Sequence, residues 1–152
     1  MTTEQSLSDK LAVGRLLTRK VRITNAQIKA MRATPITLVP GIPGKTLQFI
    51  SAQLKLKYGS NVLTESADNM AIRYTDGSGA IVSQAIEATG FIDQSADTVT
   101  NALPKIDAIV TDAASKGKAL VLHNTGDGEY GGNAAADTTM IANVSYIVYD
   151  LA

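Results

Sequence analysis

The residues that invite a chemical reading cluster near the C-terminal end of the chain. Gly126-Asp127-Gly128-Glu129-Tyr130-Gly131 spells GxGxxG, the glycine spacing of a dinucleotide-binding turn. That chemistry needs a helix N-terminus aimed at the pyrophosphate. Here the carboxylates of Asp127 and Glu129 would confront the anion, and the residues that follow lead into a strand pattern. No nucleotide site is expected. A second turn, Gly41-Ile42-Pro43-Gly44-Lys45-Thr46, ends like a phosphate loop. The pattern requires glycine where Val39 stands and a helix where the β-forming run 47–58 follows, so this reading also fails.

Asp127, Glu129 and Asp137 are the acidic residues best placed to offer oxygens to calcium. Their spacing matches no calcium loop, and Asp-Gly is a common hairpin turn. The single histidine, His123, rules out multi-histidine metal sites, and no GxSxG gives it a nucleophile to serve. The chain has no cysteine, which removes disulfides, thiolate zinc sites and cysteine nucleophiles together. No local signature marks a carboxylate pair for glycoside cleavage. The sequence therefore predicts no catalytic residue, no cofactor-binding residue and no metal ligand, and the expectation is that the protein is not an enzyme.

The elements that carry these residues read as β. Thr138–Asp150 alternates Met140, Ala142, Val144, Tyr146 and Val148 on one face with Thr139, Ile141, Asn143, Ser145, Ile147 and Tyr149 on the other. The first face is apolar and the second mixed, as for a strand with one side in a core. Its length of thirteen residues predicts a central strand. Lys45–Tyr58 is a second long strand whose apolar parity switches between Leu47, Phe49 and Ile50, Ala52, Leu54, Leu56. A β-bulge near Phe49–Ile50 accounts for the switch, because one extra residue flips the register. Ser51, Gln53, Lys55 and Lys57 form its polar outer face.

Shorter strands are expected at Lys20–Ile23, Ile36–Val39, Met70–Thr75, Ala80–Ala88, Asp97–Leu103 and Ala119–Asn124. Asp76-Gly77-Ser78-Gly79 forms a hairpin loop by composition, and 126–132 a glycine-assisted connection within the last hairpin. Thr24 or Asn25 caps one or two helical turns carrying Ile28 and Met31, which Pro35 ends. Ser8 or Asp9 caps a short helix through Leu17. After Pro104, the positions Ile106, Ile109, Val110 and Ala113 fit a short helix stopped by Gly117, with a strand as the alternative. The fold class is mainly β, an antiparallel β-sandwich of jelly-roll type, with a short N-terminal helix and an extended N-terminal arm. Residues 1–20 are the arm, and residues 21–152 the single sandwich domain.

At 152 residues, 45% of them apolar, one domain can bury about 70% of the surface of its unfolded chain. With seven aromatic residues and no Trp, the core must rest on Ala, Val, Ile and Leu. No apolar run is long enough to cross a membrane and no secretory pattern opens the chain, so the expectation is a soluble protein made in a cytoplasm. Net charge is zero but unevenly placed. Residues 1–32 hold seven basic and two acidic side chains, and the rest hold seven basic and twelve acidic. A basic segment on an acidic body predicts docking on something acidic, a neighbouring copy among the candidates. Without an aromatic residue for base stacking, that segment is not expected to bind nucleic acid.

The run Thr34-Pro35-Ile36-Thr37-Leu38-Val39-Pro40, the turn ending Gly44-Lys45 and the end Gly131-Gly132…Tyr146-Ile147-Val148-Tyr149-Asp150-Leu151 resemble small virion proteins of tailed bacteriophages. The likeness spans residues 20–152, and within that group it is nearest to capsid cement (head-decoration) proteins with a jelly-roll body. It implies a structural role on the outer surface of the head, as a homodimer or homotrimer bound to the major capsid protein, and no catalytic residues. Its localisation would be the virion. The alternatives are a phage tail or neck component, or a carbohydrate-binding β-sandwich module. The absence of Trp from the chain weighs against the sugar reading, which usually needs aromatic platforms.

Overall fold

A computed structural model describes residues 13–151, and the protein is mainly β with antiparallel sheets. Strand β1 (Leu16–Ile23) opens the described chain, followed by helix α1 (Asn25–Lys29), β2 (Ile36–Val39), β3 (Thr46–Lys57), β4 (Leu63–Thr64) and β5 (Met70–Tyr74). Then come β6 (Thr98–Ala102), helix α2 (Asp112–Ser115), β7 (Leu120–Asn124), β8 (Gly131–Gly132) and β9 (Thr139–Tyr149). A four-stranded sheet has the order β1-β9-β3-β6, a three-stranded sheet the order β2-β7-β5, and β4 pairs with β8.

The long C-terminal strand is central, as its length predicts, with β1 on one side and β3 on the other. Met140, Ala142, Val144 and Val148 are buried and Tyr146 is half-buried, while the alternate residues stay half-buried or exposed. Strand β3 carries the expected bulge, as its pairing with β9 slips between Phe49 and Ser51. The slip brings Leu47 and Phe49 onto the same buried face as Ala52, Leu54 and Leu56 and leaves Ile50 half-exposed. One inserted residue thus converts a broken alternation into a continuous apolar face. These residues join Ile36, Leu38, Ile72, Leu120 and Leu122 of the three-stranded sheet in one core cluster. Tyr74 ties the two sheets, its hydroxyl donating to the Leu47 carbonyl at 2.6 Å.

Helix α1 is opened by a side-chain cap. Thr24 accepts from Gln27 N through its side chain while the Gln27 side chain accepts from Thr24 N, which satisfies two otherwise orphaned donors. Ile28 and Met31 are fully buried beneath it.

Four expectations are corrected. Leu16 and Leu17 belong to β1, paired with Ile147 and Tyr146, and not to a helix; Ser8 and Asp9, its expected caps, lie outside the described residues. Ala80–Ala88 does not form a continuous strand, although it follows β5 through isolated bridges at Ile81 and Ile86. The Ser83 hydroxyl accepts from Ile72 N at 2.8 Å, where a ladder carbonyl would sit. Residues 106–111 form neither helix nor strand; α2 starts only after the Thr111 cap. Ile106 and Ile109 are 92% and 98% exposed, so their spacing buries nothing, and a helix that short has no stability without a packed face. Finally, β7 and β9 do not form a hairpin, because they lie in different sheets.

Candidate functional site

The residues singled out by type and spacing are held apart. No helix starts at Gly128 or Gly131; Gly131 and Gly132 form β8 against Thr64 and Leu63. Within that loop only Gly132 takes a positive φ, at 72°, followed by Asn133 at 43°. Gly126 serves close packing instead, since an added Cβ there would overlap the Asp68 carboxylate. Arg32 Nε donates to the Gly126 carbonyl at 2.7 Å. Gly41 likewise lets the backbone approach Gly117, and Lys45 is paired with Asp150 at 2.9 Å. The phosphate-loop likeness is thus a turn between two strands.

The three carboxylates considered for calcium do not converge. Glu129 accepts from Ala33 N at 3.0 Å, Asp137 accepts from Ser60 N at 3.2 Å and Asn133 Nδ2 at 2.8 Å, and Asp127 is exposed. Asn133 and Ser60 hold the Asp137 carboxyl below its ordinary range. Among the described residues no three His, Cys, Asp or Glu side chains are grouped as a metal site.

His123 is buried and structural. Its Nε2 lies 3.2 Å from the Arg32 carbonyl and its Nδ1 3.2 Å from Arg73 Nη1. The carbonyl can only accept and the guanidinium only donate, which assigns the proton to Nε2. Burial, then the Arg73 charge, lowers its pKa from 6.5. Arg73 is itself held by the Gly79 carbonyl through Nε and Nη2.

A polar knot escaped the sequence reading. Asn133 Oδ1 accepts from Asn25 Nδ2 at 2.8 Å and from Thr138 N at 2.9 Å, and its Nδ2 donates to the Asn61 carbonyl. It joins segments more than 70 residues apart in the chain. Only the Gly132-Asn133 turn composition hinted at a special backbone position there.

The surface that remains open is the outer face of the four-stranded sheet. Register aligns Lys20, Asn143, Gln53 and Asn101 in one row across the four strands, and Arg22, Ile141, Lys55 and Val99 in the next. Thr18, Ser145 and Ser51 make a third. Every member of the Lys20 row is exposed. Lys55 and Lys57 share Asp97, at 3.8 and 2.6 Å, whereas Lys20 and Arg22 make no ion pair among the described residues. Cations, amides and hydroxyls on a broad sheet can hold an acidic, hydrogen-bonding surface; they supply no nucleophile with an attendant base. The chain matches no family model, no curated protein and no solved structure.

Proposed function

We propose that this chain is a structural virion protein, a capsid cement protein that binds the outer surface of a phage head and stabilises the shell. The observation that carries the reading is the contrast within the four-stranded sheet: an apolar inner face packed into the core and a broad outer face left open, basic and rich in amides. Such a face suits adhesion to a protein surface.

The jelly-roll sandwich is part of the same proposal. Numbering the eight main extended segments in chain order, with 80–86 as the fifth, gives 1-8-3-6 beside 2-7-4-5. That is the order produced by two interleaved Greek keys, and both sheets contribute to one core. The tail or neck alternative would use the same face on a different partner. For a sugar-binding module the sheet offers Tyr149, 36% exposed, and no row of aromatic rings.

The test is decoration. Purified protein should bind expanded, emptied heads of its own phage at a fixed number of copies per shell, and delay their thermal disruption. Heads that take up no protein at any concentration would sink the cement reading, and binding to isolated tails would favour the alternative.

A further inference from the structure

The chain has no cysteine, so no disulfide can staple it, yet the polar knot at Asn133 holds the parts of another covalent link. Helix α1 carries Asn25 and Lys29 one turn apart and hence on one side, and both reach the same residue. Asn25 Nδ2 donates to Asn133 Oδ1 at 2.8 Å, and Lys29 Nζ donates to the Asn133 main-chain carbonyl at 3.1 Å. Lys29 is half-buried. It makes no ion pair among the described residues, whereas Lys45, Lys57 and Lys116 each hold a carboxylate.

The Asn133 amide is oriented by main-chain groups, which fixes its oxygen and its nitrogen. Oδ1 accepts from Thr138 N at 2.9 Å, and Nδ2 donates to the Asn61 carbonyl at 2.8 Å. Oδ1 thus has two donors, and Nδ2 gives its second hydrogen to Asp137 Oδ1 at 2.8 Å. Asn133 is 2% exposed and Asp137 is open to solvent, so the carboxylate stands between the buried amide nitrogen and water. Gly59 makes room for it, since an added Cβ there would overlap the Asp137 carboxylate, and Ser60 N donates to it. The main-chain oxygen that anchors Lys29 Nζ and the side-chain carbon Cγ are each two bonds from Asn133 Cα. Rotation of the flexible lysine stem carries the amine from one to the other.

We propose that Lys29 and Asn133 join spontaneously in an isopeptide bond, with Asp137 as the proton shuttle. Asp137 takes a proton from the Nζ ammonium, and the freed amine attacks Asn133 Cγ. Negative charge gathers on Oδ1, where Asn25 Nδ2 and Thr138 N already donate, and such bonds strengthen as the charge develops. Asp137 returns the proton to Nδ2 and the Cγ–Nδ2 bond breaks. Ammonia leaves past the exposed carboxylate and takes the surplus proton of Nζ with it. One lysine ammonium and one primary amide thus become one secondary amide and one ammonium ion; nothing is oxidised or reduced. Holding both partners in one fold replaces a bimolecular encounter with an intramolecular one. The reaction runs once per molecule and ties α1 to the turn before β9 across 104 residues. It stands without the capsid reading.

Intact-mass spectrometry of the purified full chain tests it. The wild type is expected to be lighter than its sequence mass by one ammonia, and trypsin should leave residues 23–32 joined to 119–152. Lys29→Arg keeps a cation at the carbonyl but has no attacking amine, so it should retain its full mass. Asp137→Asn, with its fold checked by circular dichroism, should slow the loss by roughly 10²-fold or more. A folded wild type that keeps its full mass through prolonged incubation overturns the proposal. So does an ammonia loss that persists in Lys29→Arg, which would mark an asparagine closing on its own backbone as a succinimide. Cross-linking of Asp137→Asn at the wild-type rate overturns the shuttle. Should Asp137→Asn fail to fold, the wild-type mass and Lys29→Arg still decide the bond.

Discussion

The four-stranded and three-stranded sheets solve the same problem in opposite ways. In β9 burial follows the two-residue period, core side inward and polar side outward. In β7 all five residues are buried: Leu120 and Leu122 enter the core, and on the other side His123 lies under Gly77 and Val121 is 2% exposed. A strand covered on both faces loses its alternation, since both sides must then satisfy burial. The open face is thus the exception in this molecule, and its polarity is a property of the sheet that the chain does not cover itself.

The largest effect should come from shortening the sheet's edge. Deleting residues 1–12 leaves all eight pairs between β1 and β9, from Leu16↔Ile147 to Ile23↔Met140. Deleting residues 1–19 removes four of those pairs and exposes the inner face of β9 beside Leu17. The longer deletion is expected to destabilise the body more than any single substitution discussed below. Equal denaturation midpoints for the two truncations would show that β1 is an attachment and not a structural edge.

Point substitutions sharpen the contrast between faces. Leu54 is fully buried and its neighbour Gln53 is exposed. Leu54→Ala should cost about 2–5 kcal/mol through lost methyl burial and the cavity left behind. Val144→Ala, with fewer atoms removed, should cost on the order of 1–3 kcal/mol, while Gln53→Ala should stay within about 0.5 kcal/mol. Chemical denaturation of the three checks this. A Gln53→Ala cost as large as that of Val144→Ala would mean that the outer face is packed in the isolated molecule.

The same contrast explains what could be read from the residues alone. The inner face of β9, the bulge in β3 and the Thr24 cap were legible, because each is written in a local period or a local hydrogen bond. The segment 80–88 has the composition of a strand, but the Ser83 hydroxyl replaces a ladder carbonyl, and no period records that. Ile106 and Ile109 keep a helical spacing in a loop that packs neither. The placement of β7 and β9 in different sheets depends on long-range pairing, as does the Asn25–Asn133 bond. The charge imbalance pointed to docking; which face bears Lys20 and Arg22 emerged only from the register of four strands.

The smallest expected effect is a pH dependence that belongs to the covered sheet alone. His123 faces a cation at Nδ1 and donates from Nε2, so a second proton would be placed against Arg73 in a buried site. Its folded pKa is lowered from 6.5, by burial first and Arg73 second. Between that lowered value and about 6.5 the unfolded chain binds more protons, so stability rises with pH across this window. The contribution is fully present above pH 6.5 and is lost as pH falls through the window. Carboxylates with lowered pKa, such as Asp97 and Asp137, lose their contribution in a more acid range, below about 3.8. His123→Gln retains a neutral donor and acceptor, and should flatten the unfolding midpoint between pH 7 and 5. No histidine stands on the open face of the other sheet, whose substitutions should leave this slope intact: Gln53→Ala and wild type should show the same pH profile. A slope that survives His123→Gln would place the titrating group elsewhere and remove the argument that this buried outer face is held by a neutral imidazole.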